Sequence, residues 1–260
     1  MSEFGSKFVA KPFRFAAASY NIHQCVGMDG RCDPGRVAQV IRELEADIIG
    51  LQEVDSRPGL GKESMQMDFL ANATGLDAVP GHTIQRHDGD FGNVLLTRHP
   101  IREVRQIDLS VPGREPRGAI DADVDIGGHP VRVIVTHLGL QAAERRQQVK
   151  RLLEILREER SRFVMVLGDF NEWLPWGRPL RWLHAHLGKP AAARTFPTAF
   201  RCLALDRIWM QPRQAIREIR VHDTRLTRVA SDHLPLRASV LLDAALAQRI
   251  FDKQAEGALS

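Results

Sequence analysis

The sequence predicts an α/β domain, and three observations carry that expectation. Short apolar, β-like runs alternate with segments whose apolar residues recur at helical spacing. No internal repeat, low-complexity stretch or linker interrupts the alternation. The 260 residues, 43% hydrophobic and 26% charged, suffice to bury a substantial core.

Each element follows from its residues. Phe13 to Asn21 (FRFAAASYN) is a strand ending in polar residues. Pro34 to Leu44 has helical periodicity, with Asp33 as N-cap before a proline in the first turn. Asp47 to Leu51 (DIIGL) is a short buried strand running into Gln52-Glu53, and Ser64 to Thr74 is a helix closed by Gly75. The middle is β-rich: 93–97, 101–109, 119–126 and 131–136 read as strands, with Gly127-Gly128 making a tight hairpin between the last two. Gln141 to Arg160 is a charged helix with an apolar stripe at Val149, Leu152, Leu153 and Leu156. Phe163 to Leu167 is an apolar strand followed directly by Gly168-Asp169. A short helix is expected over 180–187, and strands over 203–210, 216–222 and 237–242. The domain is therefore placed at 13–242, after an N-terminal extension or cloning remnant at 1–12 (MSEFGS at its start) and before a C-terminal helical tail at 243–260.

Composition narrows the functional classes. A net charge of +4 favours an anionic partner such as nucleic acid or a phospholipid head group. Three cysteines without a CxxC pair argue against a disulfide framework or a cysteine zinc site. No secretory leader or membrane-length apolar run is visible, so a cytoplasmic location is the expectation.

The informative pattern lies in where polar residues fall. Apolar strands end abruptly in groups able to bind metal or move protons: Asn21 and His23, Glu53, His137, then Asp169 and Asn171. Asp232 and His233 precede the last strand. Singly these are turn or solvated residues. Together they can converge on one mouth of a sheet and be held there rigidly.

The ordered set SYNIH (19–23), LQEVD (51–55), GNVLLTRHPI (92–101), VTHLGL (135–140), LGDFN (167–171), LDRIW (205–209) and SDHLPL (231–236) resembles the endonuclease/exonuclease/phosphatase superfamily, the DNase I-like proteins. The resemblance spans about residues 13 to 242, and its later segments look most like a compact bacterial branch. It implies a four-layer α/β sandwich: two facing mixed β-sheets with helices outside. It also implies a metal-dependent phosphoric ester hydrolase. Hydrolysing an anionic ester needs charge neutralisation and an oriented water, and hard oxygen ligands suit Mg²⁺ or Mn²⁺.

By that resemblance Glu53, Asn21 and Asp232 hold metal. Asp169 orients and deprotonates the attacking water, Asn171 holds a phosphoryl oxygen, and His137 stabilises the transition state. His233 donates to the phosphate or serves as general acid/base, with Asp206 fixing its tautomer. The base is either Asp169 or His233. Asn93 and Arg117 are substrate-binding candidates, and Arg117 equally fits a structural ion pair. His23 is read as structural. Trp173, Trp176 and Trp182 either pin their loop or present a stacking or lipid-facing surface, and the first is preferred. The run Arg145, Arg146, Lys150 and Arg151 is read as a solvated helix face.

The resulting expectation is a phosphodiesterase acting on nucleic acid or a phospholipid head group. The alternatives are a phosphomonoesterase for a small phosphorylated metabolite or inositol phosphate, and a non-catalytic module that keeps the fold. Intact Glu53, Asp169 and His233 speak against the last.

Overall fold

The first strand shows why two sheets form. In Phe13–Asn21 (β1), Phe15 and Ala17 face one apolar core while Ala16, Ala18 and Tyr20 face another. A strand buried on both faces reads as a continuous apolar run and must lie between two layers. The computed structural model describes residues 11–58, 64–86, 89–158 and 160–243.

In chain order the elements are β1, α1 (Pro34–Leu44), β2 (Ile48–Ser56), α2 (Gln66–Thr74), β3 (Asp77–Arg86), β4 (Gly89–Thr97), β5 (Ile101–Asp108), β6 (Gly118–Ile126), β7 (His129–His137), α3 (Ala142–Leu156), β8 (Phe163–Asp169), α4 (Arg178–Leu187), β9 (Asp206–Gln211), β10 (Ile216–Val221), α5 (Thr227–Ala230) and β11 (Leu236–Leu242). One sheet has the order β10-β11-β1-β2-β4-β3, the other β5-β6-β7-β8-β9. Both are mixed: β1–β2 and β7–β8 are parallel, and the remaining pairs are antiparallel.

The sheets bury their facing sides in one core that includes Phe15, Ile48, Val135, Leu167 and Ile208. The outer face of the first sheet packs on α1 and α2, and that of the second on α3 and α4. The result is the four-layer sandwich. The sheets approach closely at Gly50, where a Cβ would lie 2.1 Å from Leu167 Cδ1 and 2.9 Å from Val135 Cγ1. Only glycine fits there.

The helix starts follow their caps. Asp33 accepts from the Arg36 N–H ahead of Pro34, and Gln141 with Glu144 forms a capping box on α3. Among the described residues no helix is long and apolar enough to cross a membrane.

Several boundaries differ from expectation. β3 is absent from the sequence reading because DAVPGHTIQR combines Pro80 and Gly81 with weak alternation; a proline is tolerated because β3 is an edge strand. Helix α2 begins at Gln66 rather than Ser64, α3 ends at Leu156 rather than Arg160, and β9 begins at Asp206 rather than Leu203. The expected helical tail lies outside the described residues apart from Asp243.

Candidate active site

Strand registers assemble the site. His137 at the end of β7 pairs with Asp169 at the end of parallel β8, and Asp169 pairs with Asp206 at the start of antiparallel β9. Three chemically active side chains thus stand in one row across neighbouring strands. On the facing sheet, Asn21 ends β1 level with Gln52 of β2.

Backbone irregularities then aim the side chains. The β2–β4 register shifts between Leu51 and Val54, and within this bulge Glu53 has φ +58°. A bulge re-aims a side chain that regular alternation would send elsewhere. Asn171 also adopts φ +49°, a region that Asn tolerates better than most residues. Ahead of Asp169, Gly168 has φ +151°, and a Cβ there would meet the Thr136 carbonyl at 1.9 Å. After Asn21 the chain makes a left-handed turn through His23, Gln24 and Cys25, with φ of +47°, +54° and +59°. Strain of this kind, about 1–3 kcal/mol per residue, concentrates where geometry serves function.

Two groups of side chains face one another. In the first, Asn21 Nδ2 donates to Glu53 Oε1 (3.0 Å) and to Asp169 Oδ2 (3.2 Å), while Asn21 Oδ1 accepts from the His23 N–H (3.1 Å). Two carboxylates thus converge on one neutral amide. Asp232 joins them through Ser231, whose hydroxyl donates to the Asn21 carbonyl (2.8 Å) and lies 3.4 Å from Asp232 Oδ1.

In the second group, His233 Nδ1 donates to Asp206 Oδ2 (2.9 Å), and its Nε2 lies 3.7 Å from Asp169 Oδ2. His137 Nε2 accepts from Asn171 Nδ2 (3.0 Å), and that same amide donates to the Leu138 carbonyl (2.9 Å). Asp169, Asp206 and His233 offer ligand atoms all within 4.8 Å of one another. The Asp206 oxygen facing His233 also accepts from Thr195, while the other Asp206 oxygen has no hydrogen-bond partner.

Burial sets the protonation states. Burial pushes the Asp169 carboxyl up to about 6, against the opposing pull of His233. Burial alone would depress His233, but the carboxylates of Asp206 and Asp169 outweigh it and carry the imidazole to about 10. His137 is pushed well below the usual histidine range by burial, with Arg117 and His233 adding to the effect. At neutral pH the site therefore holds a cationic His233 beside a neutral His137.

Arg117 is buried, with Nη1 2.9 Å from Glu115 and 3.4 Å from His137 Nδ1, while its Nε has no hydrogen-bond partner. Arg117 is thus ion-paired and also lies against His137 at the edge of the site. Asn93 is buried between the sheets and donates to the Gly118 carbonyl (3.1 Å). His23 opens the left-handed turn, half-exposed, and its Nδ1 lies 3.0 Å from the Val26 carbonyl.

Two sequence readings need correction. Arg145 is buried, not solvated: it pairs with buried Glu172 (3.2 Å) and reaches the carbonyls of Gly139 and Leu140. Trp173 and Trp176 are exposed and do not pin their loop; of the three tryptophans only Trp182 is half-buried, beneath Lys150. Sequence reasoning missed Thr195, Ser231 and Phe196, whose ring stacks obliquely on His233 at 4.6 Å. Ser231 was readable as part of SDH, whereas Thr195 and Phe196 lie in a loop with no strand pattern to mark them.

The profile of the Endonuclease/Exonuclease/phosphatase family matches residues 18–233. The uncharacterized protein YbhP of Escherichia coli (strain K12) is 32% identical over 250 residues, covering 88% of this chain and 97% of its own. Two solved structures share the fold. Danio rerio TDP2, complexed with a single strand DNA product, has a TM-score of 0.64 at 18% identity, covering 87% of this chain and 98% of that one. The Bacteroides thetaiotaomicron mannosyl-6-phosphatase has a TM-score of 0.68 at 18% identity, covering 88% and 99%.

Proposed function

Because the chain belongs to the Endonuclease/Exonuclease/phosphatase family, whose members are phosphoric ester hydrolases, we propose that it is a divalent-metal-dependent phosphodiesterase. The observation that carries this reading is the convergence of Glu53 and Asp169 on Asn21, opposite the Asp206–His233 pair. The donor set fits a hard divalent cation. Asn21, Glu53 and Asp232 offer oxygen ligands, and the negative charge gathered around Asn21 calls for compensation. Mg²⁺ or Mn²⁺ held there would neutralise phosphoryl charge and favour the leaving oxygen.

The residues divide the remaining work. Asp169, with its carboxyl near 6, is largely ionised at neutral pH and accepts the proton of the attacking water. His233 is already protonated, which suits it to donate to a phosphoryl or leaving oxygen and not to act as base. As the water oxygen bonds to phosphorus, the ester P–O bond breaks and the leaving oxygen takes up a proton. Asp206 holds His233 in orientation and favours its cationic form. Both N–H groups of the Asn171 amide bond His137 and the Leu138 carbonyl, so holding a phosphoryl oxygen would mean exchanging the His137 bond for one to substrate.

A diester is favoured over a monoester by charge. Among the described residues the cations in contact with the site's own side chains are His233 and Arg117, and Arg117 is already paired with Glu115. That is sparse for a dianion and adequate for a monoanion. The candidate substrates remain nucleic acid and a phospholipid head group. The test compares bis(p-nitrophenyl) phosphate with p-nitrophenyl phosphate, in Mg²⁺ or Mn²⁺ against EDTA, with His233→Ala beside the wild type. Metal-dependent diester cleavage lost in the variant supports the reading. Preference for the monoester, or full activity in EDTA, sinks it.

A further inference from the structure

The large apolar side chains exposed on this protein are not scattered. Among the described residues eight are prominent, and only Val104, on edge strand β5, lies away from the site loops. Leu140 is 70% exposed and follows His137 by three residues. Trp173, Leu174 and Trp176 (68% exposed) follow Asn171 within five. One buried guanidinium, that of Arg145, ties these two loops together by bonding the Leu140 carbonyl and Glu172.

Phe200, 83% exposed, caps a turn whose Thr198 bonds the Asp232 and Ser231 carbonyls. Met28 is joined to Val229 by a backbone hydrogen bond of 2.9 Å, and Val229 stands three residues before Asp232. Three loop systems that frame one catalytic mouth each thus present apolar side chains to solvent. Exposed apolar side chains concentrated on the loops around one site in this way mark an interaction surface.

From this distribution we infer that the mouth of the site docks on the surface of a phospholipid bilayer carrying anionic head groups. Composition chooses the occupant. Base stacking needs planar rings, yet Met28, Leu140, Leu174 and Val229 are aliphatic, and aliphatic side chains gain from entering acyl chains. Tryptophan, apolar with one polar N–H, suits the head-group boundary.

Charge agrees. Exposed Arg31 and Arg178 stand close in sequence to Met28 and Trp176. Arg201 and Arg228 flank Phe200 and Val229 and share a single carboxylate, Asp223. Two guanidiniums on one carboxylate leave net positive charge at the rim, and the whole chain carries +4. Docked this way, the protein would meet its phosphodiester as a lipid head group. That last step rests on the phosphodiesterase reading, whereas the docking does not.

The test is flotation of the full chain with vesicles of phosphatidylcholine alone and of phosphatidylcholine mixed with phosphatidylglycerol, with tryptophan emission followed in parallel. Binding to the mixed vesicles with a blue shift is expected. Trp173→Ser/Trp176→Ser should weaken partitioning by roughly 100-fold from the lost apolar burial. Val104→Ser should leave it unchanged, and matched thermal melts show that each variant folds. Absence of vesicle binding, or equal binding by the double variant, overturns the inference. So does an emission response to single-stranded oligonucleotide alone, or a dimer that the double variant dissolves. Cleavage of bis(p-nitrophenyl) phosphate by the wild type is read separately. Vesicle binding without cleavage would remove the proposed function and leave the docking standing.

Discussion

His233 and Asp206 form a buried pair in which Nδ1 of the imidazole sits 2.9 Å from Oδ2 of the carboxylate. Thr195 donates to the same carboxylate oxygen, and Asp206 Oδ1 has no partner. The carboxylate is therefore held in place by groups that also direct it at the imidazole.

Asp206→Asn should keep the shape and lose the charge. The amide no longer favours the cationic imidazole and can hold the wrong tautomer. A fall in kcat of ~10²–10⁴-fold is expected, with metal requirement and melting temperature little changed. Steady-state rates on a soluble diester measure it. A variant within a few-fold of wild type would make the pair structural only.

Glu53 offers a second handle, because the β2 bulge aims its carboxylate at the Asn21 amide, 3.0 Å away. Glu53→Gln keeps a hydrogen-bonding oxygen and removes the negative charge. The Mn²⁺ concentration for half-maximal activity should rise by about 10–100-fold, as for altered metal sites generally. Calorimetric Mn²⁺ titration of the same variant should show the matching loss of affinity. Unchanged Mn²⁺ binding would remove Glu53 from the ligand set.

How far the sequence disclosed this site depends on where each residue sits. Asn21, His137 and Asp169 are legible because an apolar strand stops at each of them. The layering of sheet on sheet comes from the family resemblance alone, because strand and helix periodicity distinguishes only an α/β domain. β3 escapes notice because an edge strand can carry Pro80 and Gly81. Arg145 misleads for the opposite reason: it sits in a cationic helical run, and its buried partner Glu172 comes from a loop 27 residues away. The exposure of Trp173 and Trp176 is a tertiary outcome, since local composition suits a loop-pinning cluster equally well.

The Arg145–Glu172 pair predicts a stability effect near the site. Both side chains are buried, and Arg145 also holds the Gly139 and Leu140 carbonyls. Arg145→Ala should cost about 3–5 kcal/mol by stranding Glu172 without its counter-charge. Arg145→Met with Glu172→Leu should recover much of that loss, because the double change removes both buried charges. Urea unfolding of the single and double variants measures the coupling. Additive losses would mean the two side chains act independently.

Asp121 gives a prediction about pH on the opposite side of the second sheet from the sheet-to-sheet core. Its carboxylate accepts from Arg132 Nε (2.9 Å) and Nη2 (2.7 Å), and Arg105 approaches the same oxygens. Arg132 in turn donates to the carbonyls of Ile155 and Glu158, satisfying the C-terminal end of α3. Burial pushes the Asp121 carboxyl up, but the two guanidiniums outweigh it and hold it below the usual range. A carboxyl depressed in the folded state contributes stability that is present above its unfolded value, about 3.9, and lost as pH falls through the folded one. Asp121→Asn should therefore destabilise by about 3–5 kcal/mol at pH 7, leaving two cations partly uncompensated. The gap from wild type should narrow below about pH 4, as the wild-type carboxyl itself takes up a proton. Urea midpoints at neutral and acidic pH decide it: a gap that stays constant into the acid range would show that packing, not the charge of Asp121, secures the end of α3.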